Sequence, residues 1–290
     1  MSELVFLPSV VKASKMPSKE SLNTHYQKYF HTNSIYSQPE QPEETKYRQA
    51  MAMAKLSMIS HVTRRPLAES SLLEVGYGQG DFLDAAHKAC KTVQGFDFSL
   101  ESLRPEYKYL GEYCQAGNPD DLLRSAISAD IKFELINATH VLEHSSEPEI
   151  LIKNLADLTV AGGYIVIEIP NDFSPLQKEL TEAGMVGNQY WISMPDHLCY
   201  WNKERFKKFI SDSNLLIVDA FGDFPIELFL LTKDFNYKQH PELGKCAHLA
   251  RCIISEYIIS NVAMPEYLRL SRALYACDIS RSYTYIITRA

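Results

Sequence analysis

The spacing of hydrophobic positions along this chain changes period as the sequence is read. Over residues 18–30, Leu22, Tyr26, Tyr29 and Phe30 fall at i, i+4, i+7 and i+8, the stripe of an amphipathic helix. A polar, proline-broken linker follows, Gln38-Pro39-Glu40-Gln41-Pro42-Glu43. Tyr47, Met51, Ala54, Met58 and Val62 then repeat every three or four residues. They predict a second helix over about 44–62 that stops ahead of Pro66. From Leu72 onward short apolar runs alternate with helix-like text. Strands are predicted at 72–75, 92–97, 113–116, 133–138, 164–169 and 215–220, and helices at 81–90, 147–158 and 203–211, the last capped by Asn202. Ala161-Gly162-Gly163 predicts a turn before the most apolar strand. Residues 225–277 carry apolar side chains on more than one face and read as mainly helical, and 282–288 alternate like a final strand.

Strands separated by helices imply an α/β fold with a mostly parallel sheet and right-handed crossovers. The chain divides into an N-terminal helical cap (1–66), an α/β core (67–224) and a helical insert followed by a last core strand (225–290). The insert offers either a homodimer interface or an extension of the core.

Composition narrows the partners. Apolar residues make up 46% and charged residues 22% of 290, an ordinary globular balance. The net charge is −7, and no run of basic residues exceeds Arg64-Arg65, so nucleic acid is not an expected partner. Six cysteines, none in a C-x-x-C pair, read as free thiols in a reducing compartment and offer no zinc motif. The apolar patch Leu4–Leu7 is short, lacks a basic flank and is broken by Pro8, which does not fit a signal sequence. No stretch of eighteen apolar residues is present, so no membrane insertion is expected. A cytoplasmic location follows as an expectation.

The chemistry concentrates in three places. Leu72-Leu73-Glu74-Val75-Gly76-Tyr77-Gly78-Gln79-Gly80 brings a strand to a glycine turn ahead of a helix, where backbone can approach a ligand closely. Dinucleotide enzymes favour G-x-G-x-x-G, but here Asp81 occupies the place of that third glycine. Asp97-Phe98 ends the next strand, and a carboxylate there can accept both ribose hydroxyls. The third place is Thr139-His140-Val141-Leu142-Glu143-His144, followed by a helix and the run Gly162-Gly163-Tyr164-Ile165-Val166-Ile167-Glu168-Ile169-Pro170.

In this order, over about Leu72–Asn171, these elements resemble the class I S-adenosylmethionine-dependent methyltransferases, a Rossmann-like family, and in particular their small-molecule members. The resemblance implies S-adenosylmethionine as cofactor. It would be held by Glu74 (methionine amine), Gly76, Gly78, Gly80, Asp97 (ribose), Phe98, Asn118 (adenine side) and His140. Pro195–Trp201 before a helix also looks like a stretch found in many such enzymes, and Phe224–Leu231 with Pro241–Gly244 is similar to methyltransferases of sugar and surface-glycan clusters. The first expectation for the acceptor is therefore a hydroxyl of a sugar or nucleotide sugar. A quinone-like or natural-product acceptor is the alternative, and a non-catalytic cofactor-binding protein a further one.

A hydroxyl acceptor needs a base within reach. His144 and His197 are the expected catalytic residues, and Tyr190, Trp191 and Tyr200 the expected substrate contacts, because both tryptophans fall in the segment before the helix at 203. His140 and His144 at i and i+4 have metal-ligand spacing, but the text supplies no third ligand nearby, so no metal is expected.

Overall fold

The computed structural model describes residues 4–32, 40–187 and 189–290; Gln38 and Pro39 of the predicted linker lie outside them, as do the side chains of Tyr29 and Phe30. In chain order the elements begin with β1 (Leu4–Phe6) and β2 (Val11–Ala13), an antiparallel pair. Next come α1 (Lys19–Thr32) and α2 (Pro42–Thr63). The second helix starts where the Glu44 carboxylate accepts the Gln41 backbone N–H at 2.7 Å and Pro42 fills the first helical position.

The core then runs β3 (Ser71–Val75), α3 (Asp81–Ala89), β4 (Thr92–Asp97), β5 (Cys114–Ala116), α4 (Pro119–Ser128), β6 (Phe133–Thr139), α5 (Pro148–Leu158) and β7 (Thr159–Pro170). It continues with α6 (Pro175–Glu182), β8 (Cys199–Tyr200), α7 (Lys203–Asp212), β9 (Leu215–Gly222), α8 (Gly244–Asn261), α9 (Met264–Cys277) and β10 (Ser282–Arg289). Seven strands form one sheet in the order β5-β4-β3-β6-β7-β10-β9. The first five are parallel, and β10 runs antiparallel to both β7 and β9. After β3 the chain fills one side of the sheet with β4 and β5, then returns to place β6 on the other. That reversal opens a crevice at the carboxyl ends of β3 and β6.

Alternation within the strands sorts two cores. Leu72, Leu135, Val166 and Ile286 face α2 and α3, packing on Leu56, Ile59, Leu83 and Ala86. Leu73, Ile136, Ile165 and Ile287 face the opposite layer with Leu155, Phe206 and Phe209.

Two predictions are corrected. Ala161-Gly162-Gly163 is not a turn ahead of the strand but a bulge inside β7: Phe133 pairs with Thr159, while Leu135 pairs with Tyr164. Gly162 there adopts φ +70°. The N-terminal cap is not wholly helical either, since β1 and β2 make a small sheet with β8, joined through Val11 and Tyr200. The helices α4 and α6 were also not anticipated. Each begins with a cap followed by proline, Asn118-Pro119 and Ser174-Pro175.

Candidate active site

The site grows from the turn after β3. Gly76, Gly78 and Gly80 take φ +72°, +49° and +93°, left-handed values that glycine adopts without strain. At Gly76 a Cβ would also lie 2.5 Å from Val141 Cγ2, so the turn after β3 and the end of β6 touch through that missing carbon. Across the crevice Asp97 closes β4. Its Oδ2 accepts the Gly78 N–H at 2.8 Å and its Oδ1 the Phe98 N–H at 2.6 Å. Burial pushes its carboxyl up to about 6, against those backbone hydrogen bonds.

Glu74 is 3% exposed. Its Oε1 accepts from Asn137 Nδ2 at 3.3 Å, whereas Oε2 is buried with no hydrogen-bond partner among the described residues. Burial raises this carboxyl well above the ordinary range, opposed by the Lys55 charge. An orphaned buried carboxylate oxygen calls for a donor or a cation, and the amine of a methionine-bearing cofactor is one.

The first helix covers this crevice. Tyr26 stacks on Phe98 with ring centroids 5.0 Å apart at 22°. The Tyr26 hydroxyl donates to the Asp196 carbonyl at 3.1 Å and lies 2.9 Å from His144 Nδ1. Asn118 caps α4 by accepting the Asp120 N–H at 3.0 Å, and its amide donates to Asn23 Oδ1 of α1 at 2.6 Å. A cavity of about 330 Å³ remains, bordered by Tyr26, Gly76, Gly78, Asp97, Phe98 and His144.

That cavity shares Gly76, Gln79, Asp81, Thr139 and His140 with a larger chamber of about 410 Å³. Tyr47, Met51, Met58, Phe82, Phe221 and Tyr267 form the apolar part of its wall. His140 sits between the two spaces at φ +53°. Its Nδ1 lies 2.9 Å from Glu143 Oε1 and its Nε2 3.5 Å from Glu168 Oε1. Burial works against the charged ring, but the two carboxylates prevail and lift it to about 10. The two carboxylates thus favour the imidazolium at neutral pH, a form with no lone pair with which to take a proton.

The chamber's other cations are tied down. Lys55 Nζ donates to Glu168 Oε2 at 2.8 Å, and Arg48 is hydrogen-bonded to both Glu40 and Asp81. Asp223 borders the chamber, its Oδ1 accepting the Ser282 N–H at 2.9 Å, and burial pushes its carboxyl up to about 7.

The other predicted residues fall elsewhere. His197, Tyr190, Trp191 and Tyr200 border neither cavity. Trp191 and Tyr200 are buried and meet Phe173 edge-on, and the Tyr190 hydroxyl donates to the buried Glu227 Oε1 at 2.7 Å. Burial holds the His197 ring down at about 4. His144 borders the first cavity, beside Phe98, and not the chamber. Among the described residues Glu143, His144 and His197 converge, a set that leaves out His140. Conversely, Arg48, Lys55, Glu168 and Asp223 were not singled out. Glu168 left the clearest trace, a lone charge in an otherwise apolar strand.

Comparison with known proteins agrees with this geometry. A family model described as a methyltransferase domain matches residues 45–220. The ubiquinone biosynthesis O-methyltransferase of Ralstonia nicotianae is 24% identical over 133 residues, 44% of this chain and 53% of that protein. The chain thus spans about half the length of that curated relative. Magnesium protoporphyrin IX methyltransferase (ChlM) from Synechocystis, solved with bound SAH, superposes with a TM-score of 0.52 at 12% identity, covering 94% of this chain and 100% of that one. The plantazolicin methyltransferase BamL gives 0.51 at 15% identity, covering 93% and 96%. These likenesses establish the fold. With the family match spanning well over half its length, the chain belongs to the class I S-adenosylmethionine-dependent methyltransferases.

Proposed function

We propose that the chain transfers a methyl group from S-adenosylmethionine to a small-molecule acceptor that presents an aromatic or otherwise apolar face in the 410 Å³ chamber. The sulfonium of the cofactor is already an activated methyl donor. The protein's task is to align acceptor and donor and to exclude water, and alignment alone can supply a large share of the rate. The observation that carries the reading is the shared wall: Gly76, Thr139 and His140 border both spaces, so a ligand in one meets a ligand in the other there.

The chamber weighs against a nucleotide sugar. A diphosphate needs unpaired cations, yet Lys55 is held by Glu168 and Arg48 by Glu40 and Asp81. Its aromatic and methionine walls suit a ring compound instead, and the ubiquinone biosynthesis relative points the same way. Asp223 borders the chamber and would take a proton from an acceptor hydroxyl, since an acid near 7 matches general-base work at neutral pH. Glu74 and Asp97 would hold the methionine amine and the ribose.

The test is a turnover panel of catechol-type phenols, hydroxylated quinones and nucleotide sugars, read by S-adenosylhomocysteine release, with cofactor affinity measured alongside. Turnover confined to the ring compounds is expected. Turnover of nucleotide sugars alone would overturn the acceptor assignment, and failure to bind S-adenosylhomocysteine would overturn the cofactor site.

A further inference from the structure

One cluster beside the cofactor cavity has no part in the reading above. Glu143, His144 and His197 each bring a ligand-capable atom to within 4.8 Å of the others. Glu143 is 1% exposed; its Oε1 is occupied by His140, but Oε2 is buried with no hydrogen-bond partner among the described residues. The Nδ1 of His197 is likewise buried and without a partner among the described residues. His144 Nδ1 lies 2.7 Å from the Asp196 carbonyl oxygen, which can only accept. That contact places the proton on Nδ1 and leaves Nε2 with a lone pair. The rings of His144 and His197 stand edge to face, centroids 5.0 Å apart at 85°. Buried polar atoms left without partners on two residues of one cluster cost stability unless something joins them.

We propose that Glu143, His144 and His197 bind one divalent transition-metal cation of the zinc type. A carboxylate with two imidazoles is a borderline donor set that suits zinc, iron or cobalt and not calcium or magnesium, which prefer all-oxygen shells. Asp196 bonded to His144 Nδ1 is the kind of outer partner that fixes a ligand imidazole. Three protein donors leave coordination positions for water or an oxygen ligand.

The site also has a structural consequence. It joins the end of β6 to the segment before β8, where the Leu198 N–H already donates to the Glu143 carbonyl at 2.7 Å. Asp196 in that segment also receives the Tyr26 hydroxyl, so the metal would steady the support on which the cover of the cofactor cavity rests.

The experiment uses the full chain, treated with chelator, dialysed and titrated with ZnCl₂ by calorimetry, with CoCl₂ as a spectroscopic probe. One zinc per chain is expected, together with intense visible ligand-field bands for cobalt and a rise in Tm on adding zinc. His197→Ala should weaken zinc binding at least ~100-fold, the upper range seen for disturbing a ligand's support, while binding of S-adenosylhomocysteine shows that the variant is folded. Glu143→Gln should do the same. The proposal fails if the chelated wild type takes up no zinc, or if both variants bind it as the wild type does, the mark of stray exposed histidines. Should Glu143→Gln not fold, the wild-type titration and His197→Ala decide the matter.

Discussion

Asp97 carries two conflicting demands. Its oxygens already accept the Gly78 and Phe98 N–H groups, which favour the ionised form, while burial favours the protonated form and wins, leaving the carboxyl near 6. A carboxylate has lone pairs to spare for two ribose hydroxyls; a carboxylic acid has fewer and adds a donor of its own. Cofactor affinity should therefore fall as the pH is lowered through about 6, as the proton returns to Asp97. Hydrogen bonds to a charged group contribute about 1.5–3 kcal/mol, so Asp97→Ala should weaken S-adenosylmethionine binding by roughly 10–100-fold in calorimetry. Unchanged affinity would remove Asp97 from the ribose. Asp223 makes the complementary prediction for the rate. Only its ionised form can accept a proton, so turnover of a hydroxyl acceptor should be lost as pH falls through about 7. Asp223→Asn should lower kcat by ~10²–10⁴ with cofactor affinity retained. A flat pH profile together with an active Asn variant would leave the residue a wall of the chamber.

At the scale of elements, what the sequence disclosed follows a simple division. Local devices were readable: the strand-glycine-helix unit from Ser71 to Ala89, the carboxylate closing β4 and the helical period of Tyr47, Met51 and Met58 each lie within one short stretch of chain. The bulge at Ala161-Gly162-Gly163 was not, because two glycines between apolar runs read identically whether the chain turns or slips register. His197 and Trp191 lie outside both cavities for a different reason. Sequence position put them in the segment between the fifth core strand and the helix at 203, but which way that segment faces is decided by its packing on Phe173 and Glu143. The chamber was the least legible part, since α2, α9 and the ends of β9 and β10 meet only in three dimensions. The contact between α1 and β4 supplies a test at this level. Tyr26→Phe keeps the ring over Phe98 and loses only the hydroxyl bonds to Asp196 and His144, whereas Tyr26→Ala loses both. If stacking is what closes the cavity, affinity for S-adenosylhomocysteine should drop several-fold in the Ala variant and little in the Phe variant. Equal losses would assign the closure to the hydroxyl.

Across the whole molecule, charge and turn geometry suit S-adenosylmethionine better than a dinucleotide. Glu74, Asp81 and Asp97 all border the two joined cavities, Asp81 held by Arg48, within a chain of net charge −7. A dinucleotide would set its pyrophosphate at the start of α3, where a third glycine is replaced by the Asp81 carboxylate. S-adenosylmethionine carries no phosphate, and both its sulfonium and its ammonium are positive, so the same carboxylates attract it. The walls of the joined spaces come from Tyr26 near one end of the chain to Thr284 near the other, so a bound ligand ties elements of every part of the fold to the sheet. Binding to the folded state alone stabilises it by about 2.7 kcal/mol at a hundred times Kd. For a chain somewhat longer than 250 residues each kcal/mol raises Tm by roughly 2–4 °C. S-adenosylhomocysteine at that excess should accordingly raise Tm by about 5–10 °C in a single cooperative transition, and NAD at the same concentration should leave it unchanged. A shift with NAD would mean that the Asp81 carboxylate does not exclude the pyrophosphate, and the electrostatic account of cofactor choice would fall with it.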